Sequence, residues 1–414
     1  MGGPIIIADK SFIEMLKIDE SVWLDHFFNN NITPILYLET LADLKKENLR
    51  GRESSEHLVR EIANKTPFRN AYPNVFHDEL VIANLWGEAI RMVGFPVIRI
   101  SQVKKGQKTL DAHIESFPEI EAQQKWQDLQ FTELEKVIAK NWRIELAQID
   151  YDKWNEILKN MLNGKRLKSL EEVKEYADRI TETKEGNNLM LLFDIFNIPS
   201  VLAVIILKRY EKEKPNSINE FAPYAAYVFK VKLFFHLAVY CGHISKESSY
   251  KTDIMYLYYL PFCQIFVSED ISHEKMVPLF LNSQQEFVKG SKLKLGLKEI
   301  NEHFTQFEKE IEKEGILKFA LFPPKELDDS NELIRLWSKF CPNWREIISE
   351  ANIKDTAHLT GRIEQIKKEA NLSEKPIDMN RIDSILIQRK TAMYHGKWRI
   401  LPPIEKKNQN KNQK

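Results

Sequence analysis

A short and fully apolar segment near the start of the chain restricts the fold more than any other feature of the sequence. Residues 4–8 read Pro-Ile-Ile-Ile-Ala and are followed directly by Asp9. A continuous apolar run of this length, without polar residues at alternate positions, is typical of a strand that is buried on both faces. Such strands occur in parallel sheets that helices cover on both sides. We therefore predict an α/β fold in which Asp9 lies at the carboxyl end of a buried strand.

A second segment of the same kind occurs much later in the chain. Residues 263–268 read Cys-Gln-Ile-Phe-Val-Ser and are followed by Glu269 and Asp270. The ligands of open parallel sheets bind just outside the carboxyl ends of the strands. Because both apolar segments end in acidic residues, we expect Asp9 and Asp270 to lie near one ligand-binding edge and to attract a cation.

Most of the chain between these two segments has the periodicity of helices. Thr33 has the properties of an N-cap and Pro34 those of a first helical residue, so a helix is expected from about residue 34 to 48. The three asparagines at residues 29–31 predict a turn before it, and residues 317–322 predict a further strand. Other helices are predicted at residues 10–17, 77–93, 119–146, 151–162, 170–180, 189–212, 221–239, 253–260 and 272–288, and within 330–400.

The strand-containing part of the chain is therefore predicted to be split. Residues 1–50 and 216–330 are assigned to its two parts, and residues 51–215 to a mostly helical insertion between them. A long insertion is physically reasonable, because each doubling of loop length adds only about 0.6 kcal/mol to the free energy of loop closure. Residues 331–404 are expected to form a helical C-terminal region. Residues 405–414 contain no apolar side chain and are expected to be a disordered basic tail.

The overall composition argues against several classes of protein. The 60 Lys and Arg residues balance the 60 Asp and Glu residues, which argues against polybasic nucleic-acid binding and leaves a local basic groove as the alternative. Three cysteines are too few for a disulfide framework, so a reduced, cytoplasmic compartment is expected. The first residues lack the features of a signal peptide. The apolar stretches at residues 189–207 and 221–241 both contain charged residues, and we interpret them as buried helices, with no membrane contact.

Further acidic residues are expected near the same edge of the sheet. Glu39 lies on the helix predicted after the asparagines, with Asp43 one turn later on the same face, and Asp253 is expected to begin the helix that leads into the second strand. Carboxylates that converge in one cleft raise one another's pKa unless a hard divalent cation neutralises them. A Mg²⁺ or Mn²⁺ ion held in this way lowers the pKa of bound water and supports in-line hydrolysis of a phosphodiester. The predicted acidic cluster consists of Asp9, Glu39, Asp253 and Asp270.

Each of these acidic residues also has a purely structural interpretation. Asp253 and Asp270 are both predicted at helix starts, where an aspartate often caps the helix by accepting backbone hydrogen bonds. Glu39 is then a solvated helix residue, and Asp9 a turn residue at the end of a strand.

The order of these elements resembles the PIN-domain family of metal-dependent ribonucleases. The matching segments are residues 5–16, IIIADKSFIEML, residues 34–44, PILYLETLADL, and residues 252–270, TDIMYLYYLPFCQIFVSED. The resemblance implies a PIN-like three-layer α/β/α sandwich with a parallel sheet. It also implies an endoribonuclease that hydrolyses single-stranded or structured RNA with Mg²⁺ or Mn²⁺.

The resemblance also assigns roles to individual residues. The family's acidic positions fall on Asp9, Glu39, Asp253 and Asp270, which are the expected catalytic residues. The expected metal ligands are Asp9, Asp253 and Asp270, while Glu39 would hold a second ion or orient the attacking water. Supporting roles are expected for Ser11, Ser268 and Asp43. The insertion separates Glu39 from Asp253, and we therefore keep Asp43 and Glu269 as alternative candidates for the acidic positions. The sequence also leaves open whether the protein has a partner such as an antitoxin, and what its oligomeric state is.

Three other interpretations stay open from the sequence. A non-catalytic PIN-like scaffold would bind protein or RNA through its helices and use the acids as caps. Arg389 and His395 match the Arg-x(4–6)-His pattern of the metal-independent HEPN ribonucleases, although about one such pair is expected by chance in a chain with ten histidines. A zinc site would consist of His236, Cys241, His243 and Cys263. This pattern is weak, because His236 and Cys241 lie on one apolar helix, where buried structural residues are commoner.

Overall fold

The computed structural model of the chain describes residues 3–47, 51–99, 102–105, 110–114, 117–147, 151–184, 186–346, 384–387 and 392–401. The strands in this described part are β1 Ile5–Ala8, β2 Asn29–Ile32, β3 Ala71–Pro73, β4 Gln102–Lys105, β5 Leu110–Ile114, β6 Ile265–Ser268, β7 Glu286–Lys289, β8 Ser384–Ile387, β9 Tyr394–His395 and β10 Trp398–Arg399. Five of them, β1, β2, β3, β6 and β7, form the main sheet.

The main sheet is parallel throughout, with the strand order β3-β2-β1-β6-β7. The chain builds outwards from β1 in one direction through β2 and β3, and later in the other direction through β6 and β7. Such a reversal opens a crevice at the carboxyl ends of the two central strands, and doubly wound folds bind their ligands there. The N–H of Asp9 donates to the carbonyl of Val267 at 3.1 Å, so the pairing of β1 with β6 continues up to the first acidic residue. The predicted α/β fold with a parallel sheet is confirmed.

The side chains of β1 point alternately into two hydrophobic cores. Ile5 and Ile7 belong to one core and Ile6 and Ala8 to the other. Because successive residues of a strand face opposite sides of the sheet, an apolar core on each side leaves no place for a polar residue in β1. Helices must then cover both faces of the sheet, which is consistent with three α/β/α layers.

The helices of the described residues are α1 Lys10–Met15, α2 Ile18–Phe27, α3 Pro34–Leu41, α4 Ser55–Lys65, α5 His77–Trp86, α6 Pro118–Gln127, α7 Glu133–Ala147, α8 Tyr151–Leu162, α9 Leu170–Glu182, α10 Gly186–Ile195, α11 Ser200–Glu213, α12 Ile218–Phe221, α13 Pro223–Tyr240, α14 Ser248–Leu257, α15 Ile271–Met276, α16 Gly290–Thr305, α17 Glu308–Glu314, α18 Ile316–Phe319 and α19 Glu332–Phe340. The core that contains Ile7 is formed with α3, α5, α13 and α14, and the core that contains Ile6 with α1, α2, α16 and α19. None of the described helices combines the length and the apolar character that crossing a membrane requires.

The predicted start of the third helix is confirmed. The hydroxyl oxygen of Thr33 accepts a hydrogen bond from the N–H of Leu36 at 3.2 Å, and Pro34 is the first residue of α3. The α-helix ends at Leu41, earlier than predicted, and continues as a short 3₁₀ turn. Two long predicted helices are each divided in two, into α6 and α7 and into α10 and α11. Pro199 immediately precedes α11 and accounts for the second break, because proline cannot continue a helix.

The turn predicted at the three asparagines is wrong, because these residues form β2. Asn30 and Asn31 are buried, and their side-chain amides donate to the backbone carbonyls of Phe28 and Phe262 at 3.0 and 2.9 Å. These hydrogen bonds from the side-chain amides therefore make a polar strand acceptable inside the sheet. The neighbouring strand, β3, comes from within residues 51–215, the range predicted as the helical insertion.

Three other predicted elements are also wrong. The helix predicted at residues 272–288 is replaced by the shorter α15 and, from Glu286, by the edge strand β7, while the strand predicted at 317–322 is replaced by the short helix α18. Asp253 does not begin a helix, because the N-cap of α14 is Glu247 and Asp253 lies inside the helix. The capping interpretation of Asp253 is therefore excluded.

The described residues of the C-terminal region include strands as well as the predicted helix. Helix α19 agrees with the prediction, but β8 and the hairpin of β9 and β10 are strands. Trp398 of β10 packs against Trp23 of α2 with ring centroids 5.0 Å apart, so this hairpin closes one side of the core that contains Ile6. The tail predicted at residues 405–414 lies outside the described residues.

Candidate metal centre

Asp9 lies at the crevice between β1 and β6 and is the N-cap of α1. Its carboxylate is buried and accepts hydrogen bonds from the N–H of Phe12 at 2.9 Å and from the hydroxyls of Ser11 and Ser268 at 2.9 and 2.6 Å. Both serines that the family resemblance names therefore contact Asp9. Together with the helix N-terminus, they hold its carboxylate in one orientation.

The ring of His273 is buried beside Asp9. Its Nδ1 lies 2.8 Å from the hydroxyl oxygen of Ser268 and 3.2 Å from Asp9 Oδ2, and its Nε2 lies 2.9 Å from the backbone carbonyl oxygen of Asp253. Because the Ser268 hydroxyl donates its proton to Asp9, both ring nitrogens face acceptors, which suits the doubly protonated imidazolium. Burial opposes this charge, but the hydrogen bond and the negative charge of Asp9, helped by Asp253, raise the pKa of His273 to about 9.

Asp9 and His273 form a buried ion pair. Burial alone would raise the pKa of the Asp9 carboxyl, but the hydrogen bond and charge of His273 outweigh it, and Ser268 and the N–H of Phe12 add to the effect. The pKa of Asp9 is therefore lowered, and the carboxylate is ionised.

Asp270 is the second carboxylate at the crevice. It follows β6 by two residues and takes the N-cap position of α15, yet its side chain makes no capping hydrogen bond. Burial, followed by repulsion from Asp9 and Asp253, raises its pKa to about 6. Ligand atoms of Asp9, Asp270 and His273 all lie within 4.8 Å of one another.

Asp253 faces the same site from α14 but lies outside that group of three. Its Oδ2 accepts a hydrogen bond from the hydroxyl of Ser272 at 2.6 Å. Burial raises the pKa of Asp253, the charge of His273 opposes the increase, and Asp9 adds to it. Asp253 therefore contributes negative charge near the site, and its backbone carbonyl orients His273.

Glu39 contributes a carboxyl from α3. Its Oε2 accepts a hydrogen bond from the Tyr256 hydroxyl at 2.7 Å. Burial raises the pKa of Glu39 to about 7, against the opposing effects of Lys10 and Tyr256. Asp9 and Asp253 repel its negative charge as well, which places Glu39 in the same electrostatic environment as the other acids.

Asp43, the predicted supporting residue, is neutralised by lysines. Lys10 Nζ lies 2.7 Å from one Asp43 oxygen, and Lys46 Nζ lies 3.0 Å from the other. Lys10 is itself buried beside Asp9, and although burial opposes its charge, Glu39 and Asp43 raise its pKa. Asp43 therefore forms ion pairs with both lysines and does not offer a free carboxylate to the crevice.

Glu269, the suggested substitute acid, is also committed elsewhere. Its Oε2 accepts a hydrogen bond from the N–H of Ser291 at 2.7 Å, in the first turn of α16. Its own N–H donates to the Ser11 hydroxyl oxygen at 3.2 Å. Glu269 thus connects α16 to the serine that supports Asp9.

Sequence reasoning did not identify His273 and Tyr256 as parts of the site. His273 lies one helical turn after Asp270, so a search for ligands at that spacing would have found it. Tyr256 is buried. Its contact with Glu39 depends on the packing of α14 against α3, which no local pattern shows.

The donor set at this crevice fits a divalent cation. Two carboxylates that approach each other without a proton or a cation between them repel, and this repulsion adds to burial in raising the pKa of Asp270. Hard cations such as Mg²⁺ and Mn²⁺ prefer carboxylate oxygens, and Mn²⁺ also accepts imidazole nitrogen. His273 offers Nδ1 to a metal only after releasing its proton, so metal binding there displaces a proton.

The rival sites receive less support from the described residues. His395 Nε2 lies 2.8 Å from the backbone carbonyl oxygen of Asn64, and Arg389 lies outside the described residues. Within the described part of the chain, the three-residue metal-binding group at the crevice includes none of the four predicted zinc ligands. His236 stacks on Trp154 instead, with ring centroids 4.2 Å apart.

Comparison of the chain with protein-family models, with curated proteins and with solved structures gives no match.

Proposed function

We propose that this protein is a metal-dependent endoribonuclease with a PIN-like arrangement of its acidic residues. One observation supports the proposal above all others. Asp9 and Asp270 leave the carboxyl ends of two neighbouring parallel strands, at the point where the strand order reverses, and their carboxylates meet with His273 within 4.8 Å. The PIN-like classification of the α/β fold is part of the same proposal.

Asp9 and Asp270 would hold the metal, Mg²⁺ or Mn²⁺, with Asp253 adding negative charge from α14. When bound, such an ion supplies a water of lowered pKa and stabilises the charge that develops on phosphate oxygens. The chain's own contribution is orientation. The two serines and the amide of Phe12 fix the Asp9 carboxylate, so its direction does not have to be set during the reaction.

Glu39 is suited to accept a proton in this reaction. Its pKa, raised to about 7, leaves a substantial fraction of the carboxyl ionised at neutral pH. A general base works best when its pKa lies near the working pH. The hydrogen bond from Tyr256 holds Oε2, which leaves Oε1 to receive a proton from the attacking water.

A second candidate function, a non-catalytic scaffold, is favoured by one specific feature of the site. The Asp9 carboxylate already accepts hydrogen bonds from several donors, and the imidazolium of His273 supplies a positive charge within the site. A buried carboxylate satisfied in this way is stable without a metal. In that case the acidic residues maintain the junction between β1, β6 and α15, and the helical regions bind a partner.

RNA cleavage in the presence of Mn²⁺ tests the proposal. The wild type is compared with Asp270→Asn, which removes a carboxylate without a capping role, and with Glu274→Gln as the control. Glu274 lies one turn away on α15 and pairs with Lys289 at the protein surface. We expect Asp270→Asn to lower the cleavage rate at least about a hundredfold, since loss of a metal ligand or its orienting partner has effects of this order, and Glu274→Gln to retain full activity.

The same proteins also distinguish the scaffold from the nuclease. A metal that binds only the folded protein raises the melting temperature by mass action, so millimolar Mn²⁺ should stabilise the wild type and not Asp270→Asn. A folded wild type that neither cleaves RNA nor responds to Mn²⁺ would support the scaffold. Cleavage that is retained in Asp270→Asn would exclude the metal centre described above.

A further inference from the structure

A second polar cavity lies beside helix α14, away from the metal centre. Its volume is about 430 Å³, within the ~300–1,000 Å³ range of small-molecule sites. Helix α14 contributes Lys251 and Met255 to its wall, and α13 contributes Lys232 and His236. Asp253 faces the metal centre from α14 and does not line this cavity. The two regions are therefore separate sites that share one helix.

Lys232 places a largely buried ammonium group in the wall of the cavity. Its side chain is only 22% exposed, and the nearest carboxylate oxygen, on Asp78, lies 3.9 Å from Nζ. Among the described residues, no hydrogen bond from this ammonium group is present, although it carries three donors. Burial, with repulsion from Lys251, lowers the pKa of Lys232 against the effect of Asp78. An anionic ligand would supply the missing acceptors.

The cavity has an aromatic wall formed by Trp154 and His236. The two rings stack with centroids 4.2 Å apart and an angle of 20° between their planes. Burial, with the charges of Lys232 and Lys251, lowers the pKa of His236 to about 3, so the ring is neutral and offers one donor and one acceptor nitrogen. Within the described part of the chain, neither ring nitrogen of His236 has a hydrogen-bond partner.

Asn197 adds a second group of mixed polarity to the cavity. Its amide offers both donors and an acceptor, and its side chain makes no hydrogen bond with the described residues. A neutral imidazole and an amide together match the edge of a nucleobase, which presents donors and acceptors side by side. A simple aromatic acid offers no such row of donors and acceptors to these groups.

A cationic ligand fits this cavity poorly. Lys232 Nζ already lies 4.4 Å from the ring centroid of Phe196 and 5.9 Å from that of Tyr258, so the chain's own ammonium group occupies the position over the aromatic faces. The two aspartates that line the cavity, Asp78 and Asp194, are exposed at its opening, and the lysines are the more deeply placed charges.

We propose that this cavity binds a nucleoside monophosphate, with the phosphate at the two lysines and the base against the aromatic wall. A phosphate group satisfies the donors of a lysine ammonium well. The base stacks or packs on the wall and pairs with the imidazole and the amide. This site is independent of the proposed ribonuclease function, because no residue of the metal centre lines the cavity.

Isothermal titration calorimetry in the presence of EDTA tests the site. The ligands are AMP, GMP, CMP and UMP, with adenosine and inorganic phosphate as the separate halves of a nucleotide. We expect at least one nucleotide to saturate a single site on the wild type, with an affinity at least about tenfold higher than that of either half. Asp270→Asn should bind the nucleotide as the wild type does, which separates this site from the metal centre.

Two variants locate the ligand within the cavity. Lys232→Met should weaken nucleotide binding at least about tenfold. Its matched control is Lys230→Met on the same helix, where Lys230 pairs with Asp178 at 2.6 Å outside the cavity. His236→Phe keeps the stacked ring and removes the nitrogens, so nucleotide affinity should fall while phosphate affinity stays unchanged.

Several results would overturn the nucleotide site. One is the absence of binding by all four nucleotides at millimolar concentration in folded wild type. A second is phosphate binding as tight as nucleotide binding, which would show an anion site without a base. Unchanged nucleotide affinity in both Lys232→Met and His236→Phe would place the ligand elsewhere.

Discussion

Helix α14 separates two polar regions whose buried groups are satisfied to different degrees. On one side, the Asp9 carboxylate accepts hydrogen bonds from both serines and a backbone amide and pairs with His273. On the other side, the Lys232 side chain is 22% exposed and makes no hydrogen bond with the described residues. A buried polar group without partners lowers the stability of the fold. The groups around Asp9 therefore stabilise the fold, whereas Lys232 can still donate hydrogen bonds to a ligand.

The largest effect that tests this comparison is expected from Asp9→Ala. The substitution leaves the His273 imidazolium, the Ser268 hydroxyl and an amide at the start of α1 without their acceptor. Breaking a buried ion pair by removing one member destabilises proteins by about 3–5 kcal/mol. We expect a loss of this size in the free energy of unfolding, measured by urea denaturation, and a smaller loss for Asp253→Asn, which keeps the backbone carbonyl that orients His273.

Two other outcomes would contradict this expectation. If Asp9→Ala is as stable as the wild type, the Asp9 carboxylate is not a structural acceptor, and the site is balanced for a metal in place of hydrogen-bond donors. Equal losses in Asp9→Ala and Asp253→Asn would show that the acidic residues act as one coupled group.

A second prediction compares two histidines with opposite charge states. His26 is half-buried, and its burial, with the charge of Arg69, lowers its pKa to about 4, whereas His273 has a raised pKa. An unfolded histidine takes up a proton near pH 6.5, but His26 in the folded protein does not, so stability is lost as the pH falls from about 6.5 towards 4. The difference between the folded and unfolded pKa values of His26 corresponds to a loss on the order of 3 kcal/mol in the free energy of unfolding at the lower end of this pH range.

Urea denaturation at about pH 7 and about pH 4.5 measures this effect. His26→Gln keeps a donor for the carbonyl of Ala320, the partner of His26, and removes the titration. We expect the stability of this variant to change less between the two pH values than that of the wild type. An equal change in both proteins would assign the acid sensitivity to other groups, among them His77, whose pKa burial lowers to about 3.

A third, smaller effect is expected from Asp270→Asn without metal. Asp270 is repelled by Asp9 and Asp253 and makes no capping hydrogen bond, so removing its charge should raise the free energy of unfolding by about 1 kcal/mol, after allowance for solvent screening at this half-buried position. Added Mn²⁺ should reverse the order of stability, because the wild type gains a ligand that the variant binds weakly. Thermal melting with EDTA or with Mn²⁺ measures both values, and a variant less stable than the wild type in EDTA would show that Asp270 has a structural partner.

The sequence allowed some of these features to be predicted because their causes are local. The apolar run before Asp9 is sufficient to specify a buried strand, and the Thr33-Pro34 pair specifies the start of α3. The spacing from Asp270 makes His273 a candidate ligand, but its role could not be assigned from that spacing, because its ring is oriented by a carbonyl on α14 and by a carboxylate at the end of β1. Asn31 of β2 is a similar case, since its amide donates to the carbonyl of Phe262 on a distant segment of the chain.

The smallest effect is expected from Lys232→Met, on the other side of α14, and its sign is opposite to that of Asp9→Ala. In ligand-free protein, Lys232→Met removes a buried ammonium group that makes no hydrogen bond with the described residues and keeps an unbranched apolar side chain in its place. We expect the free energy of unfolding to rise by up to about 1 kcal/mol. The carboxylate of Asp78, 3.9 Å from Nζ, compensates little of the hydration that the ammonium group loses on folding. Urea denaturation of this variant beside Lys230→Met measures the change. Lys230 has a close partner, so its removal should lower stability. If Lys232→Met instead lowers stability as much as Lys230→Met does, Lys232 belongs with Asp9 among the groups that maintain the fold, and the two sides of α14 do not differ as proposed.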